Sequence, residues 1–150
     1  MNILDTDVLS HLLHDNAVAD QIRARIDIAD DPDFRITSVS VYELVGGAVD
    51  LIRGGGKHGV GPVKSHSLLQ SIIEYLANWR GLIVPFDEAA RQASRGFPAE
   101  VTRLLGKKGD ARIAAVAKEN SAAIWTLNVK HFSRVPGLVV YRADTGERVS

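Results

Sequence analysis

Five short runs of apolar and β-branched residues punctuate this chain: Ile3-Leu4, Phe34 to Val39, Leu82-Ile83-Val84, Ala122 to Leu127 and Leu138 to Tyr141. Runs of this length without polar alternation suit strands covered on both faces, as in a parallel sheet. Helical spacing fills the intervals. Val8, Leu12 and Leu13 follow the first run, and Asn16 is placed to cap a helix from Ala17 to Ile28 with Val18, Ile22 and Ile26 inward. The 3.6 period resumes from Val41 to Ile52, and Pro62 opens a largely apolar helix to about Trp79. Asp87 is placed to cap the next helix, Pro98 divides that region, and Gly109-Asp110 begins a helix over Ala111 to Glu119. Strand–helix alternation predicts an α/β domain of three layers, with helices on both faces of a short parallel sheet of four or five strands.

Composition narrows the function classes. At 150 residues the chain has the length of one domain, expected to run from 1 to 150 with a flexible Gly-rich connector at about 53–62. That connector lacks the Gly-x4-Gly-Lys-Ser/Thr spacing of a phosphate-binding loop. The absence of cysteine excludes a disulfide framework, thiolate zinc ligands and a cysteine nucleophile. Lys+Arg and Asp+Glu both number 18, so a globally basic nucleic-acid binder is excluded while a local basic patch is not. No apolar run is long enough for a membrane span and Met1 to Asp5 lacks a signal-peptide pattern, so a soluble cytoplasmic protein is expected, with no membrane partner.

In parallel α/β sheets, ligands bind beyond the carboxyl ends of the strands at a topological switch point. Asp5 follows the first strand, and Thr126 and Asn128 end the fourth. Asp110 shares a helical face with Ile113, Ala114 and Ala117, so its carboxylate is expected at the sheet edge. Each has a structural alternative: Asp5 and Asn128 as helix caps, Asp110 and Asp7 as first-turn acids. Glu43 falls opposite the apolar stripe of its helix, with Gly46 and Gly47 at i+3 and i+4. Two glycines cost a helix interior about 1 kcal/mol each relative to alanine. They are therefore expected to leave room beside Glu43 for a backbone, a metal or a substrate, with close helix packing as the competing explanation. Three converging carboxylates would repel one another, and a hard divalent cation removes that penalty. Oxygen donors without cysteine or a paired-histidine motif suit Mg2+ or Mn2+. His11, His14, His58 and His66 lack metal-ligand spacing and read as surface residues.

These motifs resemble the PIN-domain family, and within it the VapC-type toxins. The resemblance is carried by Leu4-Asp5-Thr6-Asp7-Val8-Leu9-Ser10, Ser38-Val39-Ser40-Val41-Tyr42-Glu43-Leu44 and Val84-Pro85-Phe86-Asp87-Glu88-Ala89-Ala90. It continues in Gly109-Asp110-Ala111-Arg112-Ile113-Ala114-Ala115 and in Trp125-Thr126-Leu127-Asn128-Val129-Lys130-His131-Phe132. It implies a PIN-like fold, a Mg2+- or Mn2+-dependent endoribonuclease, a homodimer and a cognate antitoxin. By this resemblance Asp5, Glu43 and Asp110 match metal-binding catalytic acids. Asn128 stands where many members carry a fourth acid, and His131 where Asp or Glu often precedes the Phe. Thr126, Asn128 and Asp7 are then supporting residues or further ligands. Lys107, Lys108, Arg112 and Lys130, together with Arg103, His131 and Arg134, are expected to grip RNA. An apolar groove between the early helices is the expected dock for a partner helix. Two other readings stand beside this one. One is a non-catalytic RNA- or protein-binding module of the same fold. The other is a haloacid-dehalogenase-like phosphatase with Asp5 as nucleophile, which Leu9 and Ala114 contradict at the positions that motif requires.

Overall fold

Side-chain caps decide where several helices of this chain begin. The computed structural model describes residues 1–54, 60–106 and 109–150, so most of the glycine connector and both Lys107 and Lys108 lie outside the described residues. The elements are β1 (Asn2–Leu4), α1 (Thr6–His14), α2 (Ala17–Ile26), β2 (Phe34–Thr37), α3 (Ser38–Arg53) and α4 (Pro62–Ala77). They continue as β3 (Ile83–Val84), α5 (Glu88–Arg95), α6 (Ala99–Leu105), α7 (Asp110–Glu119), β4 (Ala123–Thr126), α8 (Val129–Phe132) and β5 (Val140–Arg142). Asp5, Asn16, Thr37 and Asp87 accept from backbone N–H groups at the starts of α1, α2, α3 and α5.

Two expected strands change under these constraints. The run expected to reach Val39 ends at Thr37, because Thr37 Oγ1 accepts from Ser40 N–H (3.0 Å) and turns the chain directly into α3. The run at Leu82–Val84 is expected to be buried, yet it supplies a two-residue edge strand with Leu82 36% and Ile83 40% exposed. An edge strand has a neighbour on one side alone, here β2, so its other flank meets water. α4 likewise turns Val63 and Ile73 outward, while Ile72 is buried.

The five strands are all parallel, in the order β3-β2-β1-β4-β5. Alternation along the strands sorts the core into two layers. Ile3, Ile124 and Val140 pack with residues of α5 to α8, whereas Leu4, Ile36 and Trp125 pack with residues of α1 and α2 and with Leu44, Tyr75 and Leu76 from α3 and α4. The result is a three-layer α/β/α fold of the PIN-like type. Strand order reverses between β1 and β4, which places the switch point where Asp5 and Thr126 leave the sheet. After β5 the chain folds back, with an antiparallel bridge between Tyr141 and Arg148 and a bond from Val140 N–H to the Ser150 carbonyl (3.1 Å). Among the described residues no helix is long and apolar enough to cross a membrane.

Candidate functional site

Asp5 keeps the side-chain parity of Ile3, and Thr126 that of Ile124, so both emerge toward the layer that holds α7. Asp5 N–H donates to the Trp125 carbonyl (3.0 Å), which extends the β1–β4 ladder by one residue and fixes the Asp5 side chain at its end. Its Oδ1 accepts from Thr6 N–H (2.7 Å) and its Oδ2 from Thr126 Oγ1 (2.9 Å). The capping alternative is therefore present, and it leaves the carboxyl group buried among other acids. Burial pushes the Asp5 carboxyl well above its ordinary value; the charges of Asp7 and Asp110 push the same way, against the bonds from Thr126 and Thr6.

Asp7 sits in the first turn of α1. Burial raises its carboxyl too, opposed by the link to the Asp5 side chain and by the N–H groups of Val8 and Leu127, with Asp110 raising it further. Asp7 Oδ1 is buried and has no hydrogen-bond partner. Two carboxyl groups this close are tolerable when they share a proton or face a cation. An acceptor oxygen with no donor favours the second arrangement.

Asp110 opens α7 with its side chain 17% exposed, and its Oδ2 lies 3.0 Å from His131 Nδ1. The same His131 nitrogen lies 2.7 Å from Asn128 Nδ2, and Asn128 N–H donates to Thr126 Oγ1 (2.9 Å). Asn128 begins α8 without a side-chain cap bond, so the capping alternative for it fails. Thr126, Asn128 and His131 thus line a polar path from Asp5 to Asp110, with His131 Nδ1 either accepting from Asn128 Nδ2 or donating to Asp110 Oδ2. From the sequence, His131 is expected in the RNA grip and stands where the resembled family often carries Asp or Glu. The signal for its place at the acids was its position at i+3 from Asn128, one turn along the same short helix.

Glu43 reaches the starts of α1 and α7, at the residues next to Asp5 and Asp110. Its Oε2 accepts from Thr6 Oγ1 (2.6 Å) and its Oε1 from Gly109 N–H (2.7 Å), so it ties α1, α3 and α7 together. Gly46 and Gly47 have no atom of another element of the described residues within 4 Å of where a Cβ would stand. The close approach occurs at Gly109, where a Cβ would lie 2.6 Å from both Glu43 Oε1 and Val39 Cγ1. Gly109 is the glycine whose missing Cβ admits Glu43, which its place at a helix start did not signal. Among the described residues no three His, Cys, Asp or Glu side chains stand close enough together to ligate one ion. Glu43 is committed to its two donors and Asp110 to His131, while Asp5 and Asp7 remain paired. Arg112, expected to grip RNA, lies with its guanidinium 5.8 Å from the centre of the Phe86 ring, and Lys130 is exposed on α8.

No family model and no curated protein matches the chain. Solved structures do. FitAcB from Neisseria gonorrhoeae is 25% identical with a TM-score of 0.70, over 95% of this chain and 98% of that one. VapBC2 from Rickettsia felis, bound to a promoter DNA fragment, is 20% identical with a TM-score of 0.61, over 93% and 96%. A toxin–antitoxin complex from Klebsiella pneumoniae is 22% identical with a TM-score of 0.64, over 95% and 98%. The neighbours place the chain among the folds found in toxin–antitoxin complexes. They also correct the family assignment. Each is a complex named for both components or for the pair, so the likeness does not place this chain on the toxin side, and with no family model matched the VapC-type toxin assignment does not stand. The motifs behind that assignment are a few residues each, too little at this divergence to carry membership against those findings.

Proposed function

We propose that the chain is a metal-dependent endoribonuclease acting within a toxin–antitoxin pair. The observation that carries this reading is the buried, partnerless Asp7 Oδ1 beside an Asp5 carboxyl driven up by burial and by the charges of Asp7 and Asp110. Asp5 and Asp7, with the charge of Asp110 beside them, are the groups that would attract Mg2+ or Mn2+, the hard cations suited to oxygen donors, with water completing the shell because no three acids of the described residues stand close enough to ligate one ion. When bound, the cation supplies positive charge that activates water and offsets charge gathering on phosphoryl oxygens. Thr126 orients Asp5 through its hydroxyl, and His131 and Asn128 orient Asp110. Glu43 holds the starts of α1 and α7 at fixed spacing through the Thr6 hydroxyl and the Gly109 N–H. Lys130 and Arg112, with Lys107 and Lys108 outside the described residues, supply positive charge for RNA.

A protein partner belongs to this reading. Tyr42 (74% exposed) lines a cleft of about 1010 Å3 along α3, and Val63 (78%) and Ile73 (57%) are exposed on α4. The matched structures are complexes, and an antitoxin or a second copy of this chain would cover such a surface.

The test is RNA cleavage by the purified protein with Mn2+ or Mg2+, paired with calorimetric titration of Mn2+. Asp5→Asn is expected to lower cleavage by more than about a hundredfold, beyond the loss typical of removing a group that only supports a ligand, and to keep its fold by circular dichroism. A folded Asp5→Asn protein with full metal-dependent activity defeats the proposal. So does a wild-type protein that takes up no Mn2+.

A further inference from the structure

We propose that Asp110, Asn128 and His131 form a site for a borderline transition-metal ion, Zn2+ or Ni2+, at the corner where α7 and α8 meet. The site is separate from the Asp5–Asp7 pair and needs no nuclease activity. Asp110 is the first residue of α7, Asn128 precedes α8, and His131 lies within it. His131 Nδ1 stands 2.7 Å from Asn128 Nδ2 and 3.0 Å from Asp110 Oδ2. A ring nitrogen carries one hydrogen or one lone pair, never both. With a lone pair it accepts from the amide and faces the lone pairs of the carboxylate. With a hydrogen it donates to the carboxylate and meets the hydrogens of the amide. Turning the amide brings its oxygen to the ring, and one hydrogen is then divided between two acceptors. Every metal-free arrangement leaves one of the two contacts repulsive or half made.

A cation in place of that hydrogen meets three lone pairs at once, from His131 Nδ1, Asp110 Oδ2 and the turned Asn128 Oδ1. Ligands about 2.1 Å from an ion stand about 3 Å apart when at right angles, the spacing found between the ring and its two neighbours. The donors set the class of ion. Imidazole nitrogen suits Zn2+ and Ni2+, whereas Mg2+ favours oxygen throughout its shell. No three His, Cys, Asp or Glu side chains of the described residues converge, so the third protein ligand is the amide oxygen and water completes the shell. The His131 and Asp110 side chains are 36% and 17% exposed, so an ion enters without opening the fold. The charge of Asp110 is felt at both Asp5 and Asp7, which marks the corner as a region of negative potential. One turn apart on α1, His11 and His14 are engaged elsewhere, their Nδ1 atoms lying 3.2 Å from Asn16 Oδ1 and 2.7 Å from the Ser10 carbonyl.

The experiment titrates the chelator-treated wild-type protein with Zn2+, following the ring nitrogens of His131 by NMR and the heat of binding by calorimetry. Zn2+ is expected to shift His131 Nδ1, and saturating Mg2+ is expected to leave it in place. His131→Gln is expected to weaken Zn2+ binding more than about tenfold. Asn128→Asp is expected to tighten it about tenfold, a gain that mere loss of structure would not produce. Both positions are partly exposed, and circular dichroism verifies that the variants fold. A His131 Nδ1 signal unmoved by saturating Zn2+ overturns the proposal, as does Mg2+ moving it as far as Zn2+ does. Zn2+ binding that survives His131→Gln undiminished likewise overturns it, and its loss in His11→Gln would assign the ion to α1. Failure of the nuclease reading is distinct. Asp5→Asn is expected to keep the Zn2+ shift of His131 whether or not the wild type cleaves RNA.

Discussion

The two ends of the β1–β4 pair treat charge in opposite ways. At the amino end, Asn2 Oδ1 accepts from Trp125 Nε1 (3.1 Å), Asn2 Nδ2 donates to the Asp31 carbonyl (2.7 Å), and the terminal amine pairs with the Asp31 carboxylate. That amine and the Asp33 N–H hold the Asp31 carboxyl below its ordinary range. At the carboxyl end, one strand length away, Asp5 and Asp7 are both held above theirs, and a buried oxygen has no donor. The same two strands therefore end once in a closed set of partners and once in a set that needs something further. A sheet edge that completes its own hydrogen bonding is a structural feature. An edge that leaves carboxylates facing one another is where added positive charge would be most favourable.

The comparison breaks most readily at Gly109. Substituting alanine there drives a Cβ into Glu43 Oε1 and Val39 Cγ1, each 2.6 Å away, and neither yields cheaply. Val39 is buried, and Glu43 is fixed by Thr6 and by Gly109 itself. Gly109→Ala is expected to cost about 1–3 kcal/mol in urea unfolding, the usual range for an overpacked contact, and to lower RNA cleavage together with stability. Asp31→Asn at the amino end is expected to leave cleavage unchanged. A Gly109→Ala protein as stable and active as wild type would show that the α3–α7 contact does not set the site.

A smaller effect, of the opposite sign, is expected from Asp7→Asn. The substitution removes one of two crowded carboxylates and gives the other an amide donor. The metal-free protein is expected to gain stability, because the Asp5 carboxyl is no longer raised by its neighbour's charge. The pH dependence follows from the direction of the shifts. Asp5 and Asp7 have folded values above 3.8, so the folded state binds more protons than the unfolded state between 3.8 and those values. Their contribution is most favourable below 3.8 and is lost as pH rises through the folded values. Asp31 runs the other way, contributing above 3.8 and losing that contribution as pH falls through its lowered value. Urea midpoints of the metal-free wild type are expected to decline with rising pH above the ordinary carboxylate value, more steeply than those of Asp7→Asn. Mn2+ is expected to flatten the decline by binding the folded state. Parallel wild-type and Asp7→Asn profiles would dismiss the idea of an internally unbalanced edge.

The sequence carried much of this arrangement because its signals are local. The caps at Asn16 and Asp87, the break at Pro98 and the parity that sends Asp5 and Thr126 to one face all depend on neighbours within a few positions. The parts that escaped are set by distant packing. Gly46 and Gly47 drew attention because they interrupt a helix, yet the glycine that Glu43 approaches is Gly109, on another helix. The exposure of Ile83 depends on whether another strand lies beyond β3, which three apolar residues do not encode. The same limit holds for His131, whose contact with Asp110 needs α7 and α8 to meet.

Gly47 supplies the finest test, because it separates an empty position from a crowded one on either side of the same carboxylate. Both glycines near Glu43 lie at helical or helix-cap positions, and no Cβ contact is found within 4 Å at Gly47 against 2.6 Å at Gly109. With no clash to oppose it, alanine at 47 contributes its helix preference and a less flexible unfolded chain, together about 0.5–1 kcal/mol. Gly47→Ala should therefore raise the unfolding midpoint while Gly109→Ala lowers it. If Gly47→Ala instead destabilises the isolated chain, some part of this protein packs against that turn of α3, and the room beside Glu43 serves the chain itself rather than a partner.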